Sequence, residues 1–255
     1  MMPNFVRQLE TLLNRAGIAR ASADFRADKW VLVALGLLAA FVGARAWLAE
    51  HPQHDPWAPL DLRDPAGWAT QDKIIALRDD AGECRAVLTR SEVAFTSLEP
   101  LGEAPCLRDN RTRLDDFPYA GERAVTTCAM AAALEIWRRD SVQPAAQEIF
   151  GQEVARIEHF GSFSCRRLYG RDEGPWSQHA TGNAIDIAAF VLDDGTRIAI
   201  VNRWDVDDDR AQFLRRVRDG ACSAFGTVLS PDYNEAHRDH FHLDQEARGF
   251  GGVCR

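Results

Sequence analysis

Residues 177–192 read SQHATGNAIDIAAFVL, a mainly polar segment followed by a mainly apolar one. Its last eight residues, 185–192, are apolar except for Asp186. After an Asp-Asp-Gly turn at 193–195, residues 196–201 read TRIAIV and end in a second apolar run. Two apolar runs joined by a short turn that ends in glycine are typical of a β-hairpin. The chain is therefore predicted to contain an antiparallel sheet.

The same stretch carries a first pair of chemically active side chains. His179 and Asp186 are seven residues apart, with a Gly-Asn turn at 182–183 between them. Strand alternation places Asp186 among small and apolar residues, where a carboxylate needs a cation or several donors to stay charged. A metal ion held jointly by His179 and Asp186 would satisfy that need.

A second motif, HRDHFHLD, occupies residues 237–244 and is predicted to form the last strand. In a strand, His240, His242 and Asp244 share one face. Several histidines converging with an aspartate match a catalytic zinc site, which uses three nitrogen or oxygen ligands from the protein and leaves one position open. The alternative is a group of capped turns and hydrogen-bonded strand histidines without a metal.

The remaining pattern is α+β, a small antiparallel sheet with flanking helices, in one domain over residues 71–255. Helices are predicted at 71–80, 122–139, 145–150 and 210–224, and further strands at 84–97 and 153–169.

Residues 30–49 form a 20-residue apolar stretch interrupted by one arginine. This length is sufficient to cross about 30 Å of hydrocarbon, so the stretch is predicted to be a single transmembrane anchor. The basic residues before it place residues 1–29 in the cytoplasm and the rest of the chain outside. The alternatives are a signal peptide cleaved near residues 44–46 and a buried helix. Residues 50–70 contain four prolines and are predicted to be a linker.

All six cysteines follow the apolar stretch, and an even number on the exported side fits up to three disulfides in an oxidising compartment. Their pairing is left open, as is the alternative of buried free thiols. The net charge of −8 argues against a nucleic-acid partner. The disulfide candidates are Cys84, Cys106, Cys128, Cys165, Cys222 and Cys254.

The two histidine motifs also carry a family resemblance. The pattern Ser-x-His-x-x-Gly-x-Ala-x-Asp with a distal His-x-His resembles the D-alanyl-D-alanine metallopeptidases and the related lysostaphin-type and hedgehog-type zinc folds. The closer resemblance, over roughly 80–255, is to the bacterial extensin-like C-terminal domain family. It runs through Cys128, Trp137, 143–145, 164–166, 179–187, 213–214, 221–222, 237–244 and the terminal 254–255.

The resemblance implies roles for individual residues. His179, Asp186 and His242 look like the zinc ligands. Asp239 stands where the D-alanyl-D-alanine peptidases carry a glutamate as general base, and His240 is the competing candidate for that role. The positions of Ser177 and Arg166 are similar to those that contact substrate.

The resemblance also implies an activity. The chain is expected to be a zinc-dependent peptidase, anchored in a bacterial inner membrane with its N-terminus in the cytoplasm and its domain in the periplasm. Its expected substrate is the peptide stem or cross-bridge of peptidoglycan, cut as a carboxypeptidase or an endopeptidase. The alternative is a non-catalytic module of the same fold that binds the cell wall.

Overall fold

The computed structural model describes residues 25–246 and 252–255. The chain divides into two compact units, Met1–His51 and Pro52–Arg255. Most of the predicted cytoplasmic tail, residues 1–24, lies outside the described residues.

The described residues of the first unit form a long helix, α1 (Phe25–Glu50). Its segment Asp28–Glu50 has 23 residues and contains an 18-residue window with a mean hydropathy of 2.1, in which no residue is buried. At about 1.5 Å per residue, such a segment spans the roughly 30 Å of a bilayer core. The helix therefore has the length and composition of a single membrane span or of a signal sequence, in the region predicted at 30–49.

The second unit is α+β, as predicted, and its helices carry most of the core. A turn of π-helix, Arg138–Val142, joins two of them end to end. The helices are α2 (Thr70–Ala76), α3 (Ala81–Arg90), α4 (Cys128–Trp137), α5 (Gln143–Phe150) and α6 (Asp209–Ala221).

Two sheets pack with these helices. The smaller one is antiparallel and consists of β1 (Phe95–Leu98), β2 (Arg111–Leu114) and β3 (Val125–Thr127). The strands of the larger one are β4 (Val154–Gly161), β5 (Ala184–Leu192), β6 (Arg197–Ala199), β7 (Thr227–Leu229), β8 (Phe241–Asp244) and β9 (Val253–Cys254). They have the order β4-β5-β8-β7-β9, with β6 paired to β5. β7 and β9 pair in parallel, whereas the other strand pairs of the described residues are antiparallel.

Helix α4 is the centre of the core. It is rich in alanine and almost entirely buried, and its N-cap Thr127 accepts a hydrogen bond from the backbone N–H of Met130. Trp137 at its end donates its indole N–H to the carbonyl of Val217 at 2.8 Å. Alanine favours the helix and permits close approach of neighbouring elements, while the tryptophan fills the volume at the helix end.

Strand β5 organises the larger sheet and confirms the predicted hairpin with β6. It is buried along almost its whole length, as expected for a strand covered on both faces. β4 pairs along one edge, while the other edge pairs first with β8 at residues 184–187 and then with β6 at 189–191. In this register, Asp186 lies directly opposite His242.

The prediction of strands at 84–97 is wrong for most of that range. Helix α3 occupies its first part, and only 95–98 forms a strand. Asp80 caps the helix by accepting the N–H of Glu83 at 2.9 Å. The buried residues of α3 are Cys84, Val87 and Leu88, which are three and four positions apart and so lie on one face of the helix.

Three further expectations differ from the structure. The predicted strand pair at 153–169 is the single strand β4, because the chain turns away at Gly161, whose φ is +118°. The strand predicted at 237–244 as the last one begins at residue 241, after a 3₁₀ turn, and the short strand β9 follows it. The proposed linker 50–70 is folded into the second unit from Pro52 onward, with Leu60 and Leu62 buried in its core.

All six cysteines form disulfides, as expected, and the structure supplies the pairing that the sequence left open. Cys84 and Cys128 join α3 to the start of α4 inside the core. The other pairs are Cys106–Cys165 and Cys222–Cys254. The last pair ties the C-terminal strand β9 to the end of α6.

Candidate metal centre

Three side chains predicted as metal ligands meet at the start of β5. Asp186 lies on β5 and His242 on its neighbour β8, while His179 lies in the 3₁₀ turn Gln178–Thr181 that precedes β5. Gly182 ends that turn with φ +72°, a conformation that glycine adopts without the strain of a side chain. The sheet and the turn together therefore position all three donors.

The donor atoms of this cluster are close together. Asp186 Oδ1 lies 3.1 Å from His179 Nε2 and 3.0 Å from His242 Nδ1, and the two nitrogens are 3.2 Å apart. These three residues form a group that could hold a metal ion.

The spacing of the donors fits a small divalent cation. Zinc binds nitrogen and oxygen at about 2.0–2.2 Å, so two donors in a tetrahedral arrangement are about 3.3 Å apart. The three observed separations, 3.0–3.2 Å, are close to that value. Two imidazoles and one carboxylate also form a typical donor set for a catalytic zinc ion.

The electrostatics of the cluster favour positive charge between its carboxylates. Burial alone would raise the pKa of Asp186, but hydrogen bonds and charge from His179 and His242 keep this pKa below its ordinary value. Burial would lower the pKa of His242, yet Asp186 and Asp244 raise it to about 9. The group therefore stabilises a cation, whether a proton or a metal ion.

Asp244 has a role in the cluster that the sequence analysis did not assign to it. Its buried Oδ2 accepts a hydrogen bond from Nε2 of His242 at 2.9 Å. Its Oδ1 accepts the backbone N–H of Glu246 at 2.8 Å. Asp244 thus keeps a proton on Nε2 of His242 and directs Nδ1 toward Asp186. The His-x-Asp spacing on one strand face was the sequence feature that pointed to this contact.

We expect the substitution Asp244→Ala to weaken zinc binding by about 10-fold to 100-fold, because the ring of His242 loses the partner that fixes its orientation. Asp244→Asn, whose amide oxygen still accepts from Nε2, should lose less. Zinc affinity measured by chelator competition tests both variants. Equal affinity in wild type and Asp244→Ala would contradict this role.

His240 and Asp239, the two candidates for general base, have different positions. His240 lines a cavity that opens over the cluster of His179, Asp186 and His242, called the histidine cavity below. Its Nε2 lies 3.6 Å from Asp186 Oδ1. Asp239 lies behind the ring, with Oδ1 2.9 Å from His240 Nδ1, and its side chain is 39% exposed. Asp239 can therefore orient His240, while His240 faces the cluster.

His237 is a fourth imidazole at the site, and no separate role was expected for it from the sequence. Its ring lies 5.2 Å from that of His240, and Asn234 Oδ1 is 2.7 Å from its Nδ1. Burial and the nearby charges of His240 and His242 lower its pKa to about 4. His237 is thus held neutral at the edge of the cluster, and the His-x-x-His-x-His spacing was the available clue.

The histidine cavity has a volume of about 430 Å³ and opens over the cluster. Both predicted substrate-contacting residues line it. Ser177 is buried, and its hydroxyl accepts the N–H of His179 at 3.3 Å, so it also caps the 3₁₀ turn. Arg166 is exposed at the cavity wall. A larger cavity of about 610 Å³, beside Trp57 and Trp68, is lined by no histidine or cysteine.

Comparison with known proteins supports the family resemblance. A family model described as extensin-like protein C-terminus matches residues 82–255, which include all six cysteines and the whole candidate metal centre. Neither a search of curated proteins nor a search of solved structures gives a match. Because the family model covers well over half of the sequence, the chain belongs to the family of extensin-like C-terminal domains.

Proposed function

We propose that this chain is an exported, membrane-anchored, zinc-dependent peptidase that hydrolyses peptide bonds in bacterial peptidoglycan. One observation carries the proposal: two imidazoles and a carboxylate converge within about hydrogen-bond distance at the floor of an open cavity. Catalytic zinc sites combine this donor set with access for substrate. The resemblance of the two motifs to the D-alanyl-D-alanine metallopeptidases supports both the metal and the substrate class.

The site residues have distinct roles in this proposal. His179, Asp186 and His242 hold the ion, which when bound supplies Lewis-acid activation of water and of the scissile carbonyl. His240 Nε2 takes a proton from the attacking water and later gives it to the amine nitrogen that leaves. Asp239 Oδ1 accepts a hydrogen bond from Nδ1–H of His240, which leaves Nε2 without a proton and free for this transfer. The rest of the cavity orients the peptide.

The proposed location follows from the sequence on either side of α1. Basic residues precede the apolar segment, and all six disulfide-bonded cysteines follow it. This distribution favours a cytoplasmic N-terminus and an oxidising, extracytoplasmic compartment for the domain. The peptide stems and cross-bridges of the cell wall are then the substrates within reach.

The role of His240 can be tested with purified muropeptides. We expect His240→Ala to retain zinc and to lose at least about 100-fold in cleavage rate, since a positioned general base contributes about that much or more. Asp239→Ala should lose less, because the ring remains. Rates come from mass analysis of the released products, and zinc content is measured on the same samples. Unchanged cleavage by His240→Ala would contradict the assignment.

A non-catalytic wall-binding module is the second candidate function. The position of Asp239 favours it, since its carboxylate contacts His240 instead of lining the cavity. Binding of the wild-type chain to cell-wall sacculi without released products would support this function. Cleavage that disappears in His240→Ala would exclude it.

A further inference from the structure

Arg111 begins β2, the central strand of the smaller sheet, and Arg108 lies three residues before it. Neither has an acidic partner in the described part of the chain. The Nε of each is buried and has no hydrogen-bond acceptor there. Arg111 donates one Nη to the carbonyl of Glu99 at 2.7 Å. Arg113, the next arginine on the same strand, differs because it pairs with Asp115 at 3.0 Å.

The guanidinium of Arg108 is held in a fixed position. It lies over the ring of Phe163 at 3.7 Å from the ring centre, and its stem lies beside Gly182. The disulfide Cys106–Cys165 joins the two loops that carry Arg108 and Phe163. A guanidinium stacked on an aromatic ring keeps its outer N–H groups available for a planar anion.

The two arginines repel each other. Burial and the charge of Arg111 both lower the pKa of Arg108. Since no acidic side chain neutralises either arginine in the described part of the chain, an anion bound there would remove this repulsion and supply charge-assisted hydrogen bonds. Both side chains are half-buried, so such an anion can reach them from solvent.

This arginine pair is connected to the candidate metal centre. Gly182, beside the stem of Arg108, ends the turn that carries His179. The loop with Phe163 is joined to the same turn, since Ser164 donates its N–H to the carbonyl of His179 at 3.1 Å. The loop then continues to Arg166, which lines the histidine cavity. Basic groups thus extend from the start of β2 to the cavity wall.

We infer that Arg108 and Arg111 form a carboxylate-binding site, which holds an acidic group of the substrate while the neighbouring peptide enters the histidine cavity. The ligand class is a peptide with free carboxylates, as in the acidic stems of peptidoglycan. The identity of this ligand rests on the proposed function, whereas the preference for carboxylates rests on the arginine pair alone.

The test measures binding of the full-length chain in detergent to purified sacculi and to sacculi whose carboxylates have been converted to methylamides. We expect Arg108→Gln/Arg111→Gln to bind native sacculi about 10-fold to 100-fold more weakly than wild type, with a weaker dependence on salt. The matched control is Arg156→Gln/Arg210→Gln, which removes the same charge from an arginine on β4 and an arginine on α6. This variant should bind as wild type.

The outcomes separate this inference from the proposed function. Equal binding of the Arg108/Arg111 variant and the wild type, or equal wild-type binding to native and amidated sacculi, would overturn it. An equal loss in the control variant would also overturn it, because net charge alone would then explain binding. Carboxylate-dependent binding by a chain that holds no zinc would refute the proposed peptidase and leave the arginine site supported.

Discussion

Replacing His179 with alanine is expected to reduce zinc affinity by more than about 100-fold and to abolish cleavage of muropeptides. Removal of a residue that only orients a ligand already costs about 10-fold to 100-fold, and loss of a ligand costs more. His179 is also one of the two imidazoles that contact the buried carboxylate of Asp186. Zinc per chain, measured by mass spectrometry after dialysis, tests the first effect, and product analysis tests the second.

His159→Ala is the control for this prediction. His159 lies on β4, and its Nε2 is 2.9 Å from the carbonyl of Glu122, outside the cluster. This variant should keep zinc and activity, and circular dichroism should show that both variants are folded. Full activity in metal-free protein, or retention of zinc by folded His179→Ala, would contradict the assignment of the cluster.

Removal of the Cys84–Cys128 disulfide is expected to lower the free energy of unfolding by about 4 kcal/mol. The bond closes a loop with a sequence separation of 44, for which the loss of chain entropy in the unfolded state predicts about this value. Both sulfurs are fully buried, so the alanine variant also leaves a cavity in the core. Urea unfolding of Cys84→Ala/Cys128→Ala measures the change.

The Cys222–Cys254 pair provides the comparison. Its separation of 32 predicts nearly the same entropic effect, but Cys254 is exposed near the C-terminus. Cys222→Ala/Cys254→Ala should therefore be the less destabilised of the two variants. A larger loss for this pair would mean that burial of Cys84 and Cys128 adds nothing to the effect of loop closure.

The sequence was informative where neighbouring residues determine the structure. The hairpin around residues 193–195 and helix α6 could be predicted, because apolar spacing and turn residues act locally. Two short motifs contain the three proposed ligands, and the family resemblance singled these three residues out. Helix α3 differs from the predicted strand because three buried positions at helical spacing in a ten-residue segment are too few to separate a helix from a strand.

Contacts between distant segments could not be predicted. The pairing of six cysteines depends on how the helices and loops pack, and the spacing of the cysteines does not determine it. Arg108 stacks on Phe163, 55 residues further along the chain, beside the disulfide that joins their loops. The contact of Asp239 with His240 depends on where β8 begins, and the predicted strand started four residues too early.

The pairing of Asp186 with His242 across adjacent strands has a consequence for stability. An ion held by His179, Asp186 and His242 would cross-link segments that are 63 residues apart, a longer span than any of the three disulfides. Unlike a covalent bond, this cross-link would depend on the surrounding ion concentration and add about 2.7 kcal/mol when free zinc is 100-fold above its dissociation constant. When metal is scarce, the free energy of unfolding of the domain would then fall, independently of any reaction the domain performs.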